Sequence, residues 1–347
     1  MSDEALKSMA KDVRIEIDNY NETIQALKAL SHEFTWDDEA GVLLSDVFSQ
    51  IGRRMDTSPQ NEICAGEQVT PDLVFQRGSD YGLIAEAKLA MCINRTGRER
   101  RIRQVVKYDD DLVGWHTDDE RLDTHDIMLV VHLFRGKEIQ DQLQQLQENG
   151  EIDLDRPFSL VSFGVVNRTG SEYMTLQLLS GSLSLEEKQD KLSDILAIPL
   201  DHVAGNPQFA NVKLYDAKPP APLVMDLIHN LIFENLSPDD FLELEEENEL
   251  RKQVDVRELR QVISAGFGPG ESGDRMPEVP RLDWIREAMS MFVKMDWAEE
   301  IDGEPDSYVY LVKRRRTPLK QFVKHFAEER LKEEKASTER SEQTSLF

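Results

Sequence analysis

The rhythm of apolar and polar positions changes several times along the chain. Through residues 1–31, Ile15, Ile17, Ile24, Leu27 and Leu30 recur at helical spacing. Val42, Leu43, Val47, Phe48 and Ile51 predict a second helix, capped at Asp37 or Asp38 and running to about Met55. Gly52 and Pro59 mark its exit, and a short strand follows near Glu62–Ala65. Two apolar runs, Leu73–Phe75 and Tyr81–Ala85, then flank the turn-rich segment Arg77–Asp80, which predicts a β-hairpin. A loop with Asn94 and Gly97 leads into a helix from about Arg98 to Val113. Asp126–Phe134 is continuously apolar at its centre, as a strand buried on both faces would be. A glutamine-rich helix over Lys137–Gly150 follows. Strands at Phe158–Val166 and Tyr173–Leu179 would extend the sheet, and a helix at Leu185–Leu196 comes after them.

Lys218-Pro219-Pro220-Ala221-Pro222 breaks this pattern and reads as an extended linker. Beyond it come an apolar helix at Val224–Leu236, an acidic segment, a helix ending near Phe267, and a Gly/Pro-rich loop to Pro280. A helix at Leu282–Ile301, with Trp284 and Trp297 as expected core, then turns through Asp302–Ser307 into a strand at Tyr308–Arg316. In element order this half resembles a winged-helix domain, a type that binds DNA or protein partners. A last helix leads to a polar tail. The expected division is therefore residues 1–217, residues 218–335, and a disordered tail over residues 336–347.

A length of 347 residues suits two domains, and 39% hydrophobic content supports folded cores. The longest aliphatic run, Ile127–Val131, is far too short for a bilayer, and the acidic start of the chain lacks a signal-like apolar core. Cys64 and Cys92 have no metal-site spacing, which fits a cytoplasmic protein with no membrane partner. The net charge of −26 argues against broad nonspecific binding to nucleic acid. One local exception stands out. Arg95, Arg98, Arg100, Arg101, Arg103 and Lys107 face the single acid Glu99 within residues 95–107. Arg98, Arg101 and Lys107 are the expected contacts to phosphate. The remaining acid fits a DNA backbone repelled from other faces, a basic partner or a saline cytoplasm, and composition does not choose among them.

Candidate chemistry centres on the hairpin. Folding it about Ser79 brings Asp72 opposite Glu86, and alternation puts Lys88 on the same face. Two such carboxylates call for a cation between them, and hard oxygen donors suit Mg²⁺ or Mn²⁺. The nearby lysine would orient a water and offset charge on a phosphate. Pro71-Asp72, thirteen intervening residues and Glu86-Ala87-Lys88 resemble the signature of the PD-(D/E)XK nuclease superfamily. Gln104 and Tyr108 match the QxxxY of its RecB-like branch.

That resemblance implies an α/β fold: a restriction-endonuclease-like αβββαβ core with a mixed central sheet flanked by helices. It implies a Mg²⁺-dependent deoxyribonuclease with Asp72, Glu86 and the Ala87 carbonyl as ligands and Lys88 as the water-positioning residue. A further acid would come from the first helix, Glu39 by position, with Asp46 as runner-up, and His32 is the single candidate for the branch's upstream histidine. Members act in restriction, phage defence, repair and recombination, and cutting both strands would favour a homodimer. No helicase or ATPase motif is present, and Gly266–Gly270 lacks the context of a nucleotide loop. The competing readings are a catalytically silent nuclease-fold scaffold within a larger complex, and a winged-helix DNA-binding regulator.

Overall fold

The computed structural model describes residues 3–37, 42–44, 46–58, 66–88, 105–117, 120–204, 214–215, 217–247, 249–265, 279–313 and 318–344. The chain forms two compact units. One comprises Asn21–Asp216 with Gly266–Val279, and the other Met1–Tyr20, Ala217–Ala265 and Pro280–Phe347. The first twenty residues, expected to belong with the hairpin domain, thus pack with the C-terminal half instead.

Helix α1 (Asp3–Thr35) opens the chain. The second helix expected from residue 37 or 38 to Met55 is not formed. Its described residues are strands: β1 (Trp36–Asp37), β2 (Val42–Leu43), β3 (Val47–Ile51) and β4 (Met55–Thr57). Pairing decides the matter, because β3 lies antiparallel to β6 (Leu73–Arg77) from Val47↔Arg77 to Ile51↔Leu73. Gly52, at φ +69, ends β3, and its N–H donates to the Asp72 carbonyl at 3.1 Å. The strand expected at Glu62–Ala65 and the two cysteines lie outside the described residues.

The expected hairpin is formed by β6 and β7 (Tyr81–Lys88), registered from Leu73↔Ala85 to Arg77↔Tyr81. The short strands β5 (Gln68–Val69) and β8 (Leu112–Val113) flank β4 in a small separate sheet. The apolar run becomes β9 (His125–His132), parallel to β7 and almost wholly buried. Helix α2 (Leu133–Glu148) follows, then β10 (Phe158–Arg168), parallel to β9, and β11 (Ser171–Gly181), antiparallel to β10. After α3 (Glu186–Ser193), β12 (Leu196–Pro199) closes the edge and leads into α4 (Leu200–Ala204). The result is a mixed sheet of order β12-β11-β10-β9-β7-β6-β3. Leu129, Val131 and Leu160 of that sheet pack against Ile139, Leu143 and Leu146 of α2. Glu33 near the end of α1 is buried with Lys188 of α3 at 3.1 Å, which ties those two helices together.

The second unit contains α5 (Ala221–Glu234), α6 (Pro238–Glu247), β13 (Glu249–Asp255), α7 (Val256–Ala265), α8 (Leu282–Lys294), β14 (Ala298–Glu300), β15 (Ser307–Lys313) and α9 (Pro318–Thr344). Its sheet is antiparallel with β15 in the middle. Trp284 and Trp297 are buried, and His229, Phe292, Trp297, Tyr310 and Phe322 pack as an aromatic core. His229 Nδ1 lies 2.8 Å from the Tyr310 hydroxyl, and burial holds both groups neutral by lowering the one pKa and raising the other. Val13 and Ile17 of α1 pack on Val323 of α9. The tail expected to be disordered continues α9 as helix to Thr344. Among the described residues, no helix is long and apolar enough to cross a membrane.

Gly82 of β7 faces the buried Trp115, where a Cβ would lie 2.6 Å from the indole and 2.8 Å from Leu122. Gly82→Ala should therefore lower stability by about 1–3 kcal/mol through overpacking, seen as a reduced urea midpoint. An unchanged midpoint would mean that the ring yields without loss.

Candidate active site

The β6–β7 register, carried one pair beyond Leu73↔Ala85, sets Asp72 opposite Glu86, as the hairpin pattern predicts. Both side chains are buried, at 3% and 2% exposure. Backbone and side-chain donors orient them. The Ala87 N–H donates to Asp72 Oδ2 at 2.7 Å, and the Tyr108 hydroxyl donates to Glu86 Oε2 at 2.9 Å. Lys88, two residues along the same face, donates from Nζ to Glu86 Oε1 and keeps 16% of its side chain exposed at the rim. Ala87 is present at the site through its amide, whereas its carbonyl was the expected metal ligand.

Tyr108 follows a helical turn at residues 105–106; the helix expected to run to Val113 does not continue, because residues 107–110 turn and Leu112–Val113 is strand β8. Three contacts fix its segment. Val105 and Tyr108 belong to an apolar cluster with Val74, Ile84 and Trp115. Arg156 bonds the Asp109 carbonyl at 3.1 Å and the Asp111 carboxylate at 2.8 Å. The Tyr108 carbonyl accepts from His125 Nε2 at 2.7 Å. Burial, with the Arg156 charge second, drives the His125 pKa down to about 3 against the opposing pull of that carbonyl. The ring is therefore neutral with its proton on Nε2, and its buried Nδ1 has no hydrogen-bond partner. Trp115 packs on the ring at 5.3 Å between centroids.

At the same end of the sheet, Lys88 pairs with Val131 and the next residue is His132. Its Nε2 lies 3.0 Å from Glu22 Oε2 on α1, and its Nδ1 accepts from the Phe134 N–H at 3.4 Å, capping α2. Neither His125 nor His132 was singled out from sequence. Their signal was present, since one histidine stands at each end of a buried apolar strand, where a polar ring needs a designated partner.

The other expected site residues divide into two groups. Glu39, Arg98, Arg101 and Gln104 lie outside the described residues. Asp46 is exposed beside Val47, at the end of β3 opposite Asp72, and its carbonyl accepts from Gly78 in the hairpin turn. That separation is roughly 20 Å at a strand's rise per residue, so Asp46 does not join the site. Lys107 pairs with Glu67, and the His32 ring stacks on Trp36.

Asp72 and Glu86 offer hard carboxylate oxygens. No group of three or more His, Cys, Asp and Glu side chains that could hold a metal occurs among the described residues. The pair still fits Mg²⁺, which is commonly held by one or two carboxylates together with waters and substrate oxygens.

His125 also sets a pH dependence. An unfolded histidine protonates near pH 6.5, and the folded one only near 3. Between those values the unfolded state binds more protons, so this contribution is full above about pH 6.5 and lost as pH falls toward 3. Urea midpoints of the wild type should decline across this window at up to about 1.4 kcal/mol per pH unit from this group. His125→Gln should show a shallower decline, and an identical slope in the variant would refute the assignment. No family model, curated protein or solved structure matches the chain.

Proposed function

We propose that the chain is a metal-dependent nuclease of the PD-(D/E)XK type that hydrolyses phosphodiester bonds in DNA. The observation that carries this reading is the convergence of buried Asp72 and Glu86 with Lys88 on adjacent strands. The order of elements supports it: α1, antiparallel β3, β6 and β7, a helical turn at 105–106, then β9 parallel to β7. With the short strands set aside and the second helix described only at 105–106, this order supports the αβββαβ reading of a restriction-endonuclease-like core.

Asp72 and Glu86 would hold Mg²⁺ or Mn²⁺, with the Ala87 carbonyl and Glu39 as the remaining protein ligands of the family pattern. When bound, the ion supplies positive charge to the scissile phosphate and acidifies a coordinated water. Lys88 positions the attacking water and stabilises charge on the phosphate oxygens. Tyr108 holds one Glu86 oxygen, and His125 holds Tyr108 by its carbonyl. Arg98, Arg101, Gln104 and Lys107 are the proposed DNA contacts, and a homodimer would allow both strands to be cut. Phage defence, restriction and repair are the settings that suit this activity in a cytoplasmic protein.

Between α5 and α9, the second unit runs α6, β13, α7, α8, β14 and β15 with β15 central, which supports a winged-helix reading. We read it as partner-binding rather than DNA-binding. Arg286 of α8 is engaged by Asp306 through two bonds of 2.7 Å, and Lys294 lies 3.6 Å from Glu329. The α6 sequence PDDFLELEEE is strongly acidic, which repels a phosphate backbone. A silent scaffold is the competing function, in which the same fold serves assembly or regulation without turnover.

Incubation of labelled linear duplex, single-stranded and supercoiled DNA with Mg²⁺, Mn²⁺ or EDTA tests the proposal. Wild type should cut only with metal, and Lys88→Ala should lose about 10²–10³-fold in rate while keeping its fold by circular dichroism. Calorimetric titration should show metal binding that disappears in Asp72→Asn. Folded protein that neither binds metal nor cuts any substrate would establish the scaffold.

A further inference from the structure

Phe134 is the most exposed large apolar side chain among the described residues, at 83%, yet its neighbours are packed. Leu133 beside it sits directly over Gly164 of β10, where a Cβ would lie 1.9 Å from Leu133 Cδ2. His132 on its other side packs edge-on against Phe163 at 5.4 Å and is tied to Glu22. The Phe134 ring leans on His132, with centroids 5.0 Å apart and planes 36° from parallel. One face of Phe134 is thus backed by a fixed imidazole and the other is open to solvent.

The register locates this ring. Val131 pairs with Lys88, and Phe134 comes three residues later at the start of α2, within roughly 12 Å of the Lys88 backbone. The first turn of α2 contains no acidic residue and carries Arg135, with Lys137 next after it, although the chain has a net charge of −26. Those cations pair along the helix with Glu138 and Asp141 at 3.0 Å, in partly exposed contacts that a phosphate can displace.

We propose that Phe134 is a stacking platform for an unpaired base of single-stranded DNA, with Arg135 and Lys137 beside the adjoining phosphate. The inference deepens the nuclease reading, on which it rests, by naming the substrate class as single-stranded or frayed DNA. A duplex keeps its bases stacked on one another and offers no face to a protruding ring. Stacking also suits an acidic protein, because salt does not screen it as it screens phosphate contacts.

The test is fluorescence anisotropy of a labelled oligothymidylate and a labelled duplex, with EDTA present so that turnover does not intervene. Wild-type protein should prefer the single strand, with a shallow dependence on salt. Phe134→Ala should weaken single-strand binding roughly 5- to 100-fold, the range for loss of one base–aromatic stack. Phe134→Trp should retain it, and duplex binding should be the same in all three. Equal single-strand affinity in Phe134→Ala overturns the platform, as does equal weakening toward both DNAs. So does a change of oligomeric state in Phe134→Ala without change in DNA affinity, since Phe134 would then be a self-contact. Cleavage assays run in parallel keep the two ideas apart. Metal-dependent cutting with unaltered Phe134→Ala affinity removes the platform alone, whereas absence of cutting by wild type removes the nuclease.

Discussion

The pairing of β6 with β7 is the constraint from which the candidate site follows. Side chains alternate faces along a strand, so a slip of one residue would send Glu86 and Lys88 to the opposite side of the sheet from Asp72. The slip is opposed by the burial of every residue from Leu73 to Gln76 and from Tyr81 to Ala87, on both faces. It is also opposed at the site, where the Ala87 amide and the Asp72 carboxylate meet only in this register. Two buried carboxylates are costly to desolvate, and the donors from Ala87, Tyr108 and Lys88 are what make the arrangement tolerable.

That register was legible because it is local. The turn Arg77–Asp80 and the two flanking apolar runs fix the pairing within some seventeen residues, Asp72 through Lys88. The stretch 42–55 was misread for the opposite reason. Val47, Ser49 and Ile51 alternate as in a strand, yet Val47, Phe48 and Ile51 also lie on one side of a helix. The choice between them is made by β6, more than twenty residues away, which supplies the hydrogen bonds for an edge strand. The first twenty residues show the same limit. Their helical period was plain, but the identity of the surface that covers Val13 and Ile17, which includes Val323, is a property of the distant chain.

The support behind the site was hidden for a different reason. Glu86, Lys88 and Tyr108 announce themselves as residue types with a familiar spacing, whereas His125 acts through a backbone carbonyl and leaves no side-chain pattern. Gly82, Trp115, His125 and Tyr108 form a packed line from β7 back to the Glu86 carboxylate. Its members are far apart in sequence and chemically unlike one another. Only the fold shows that an absent methyl at Gly82 gives room to the ring against which His125 rests.

The charge distribution bears on how so acidic a chain would meet DNA. Net charge governs long-range attraction, but contact depends on what stands within a Debye length of the site, about 8–10 Å near physiological salt. Among the described residues there, Asp72 and Glu86 are buried and bonded and Lys88 reaches the rim, while the first turn of α2 nearby is free of acid. The acids of the second unit are placed otherwise: Asp306, Glu329 and Asp240 are each bonded to a cation of their own unit, so those cations are engaged. On the proposed reading, a metal bridge and a stacked base would add short-range terms to recognition, and these favour DNA whose bases are already unpaired.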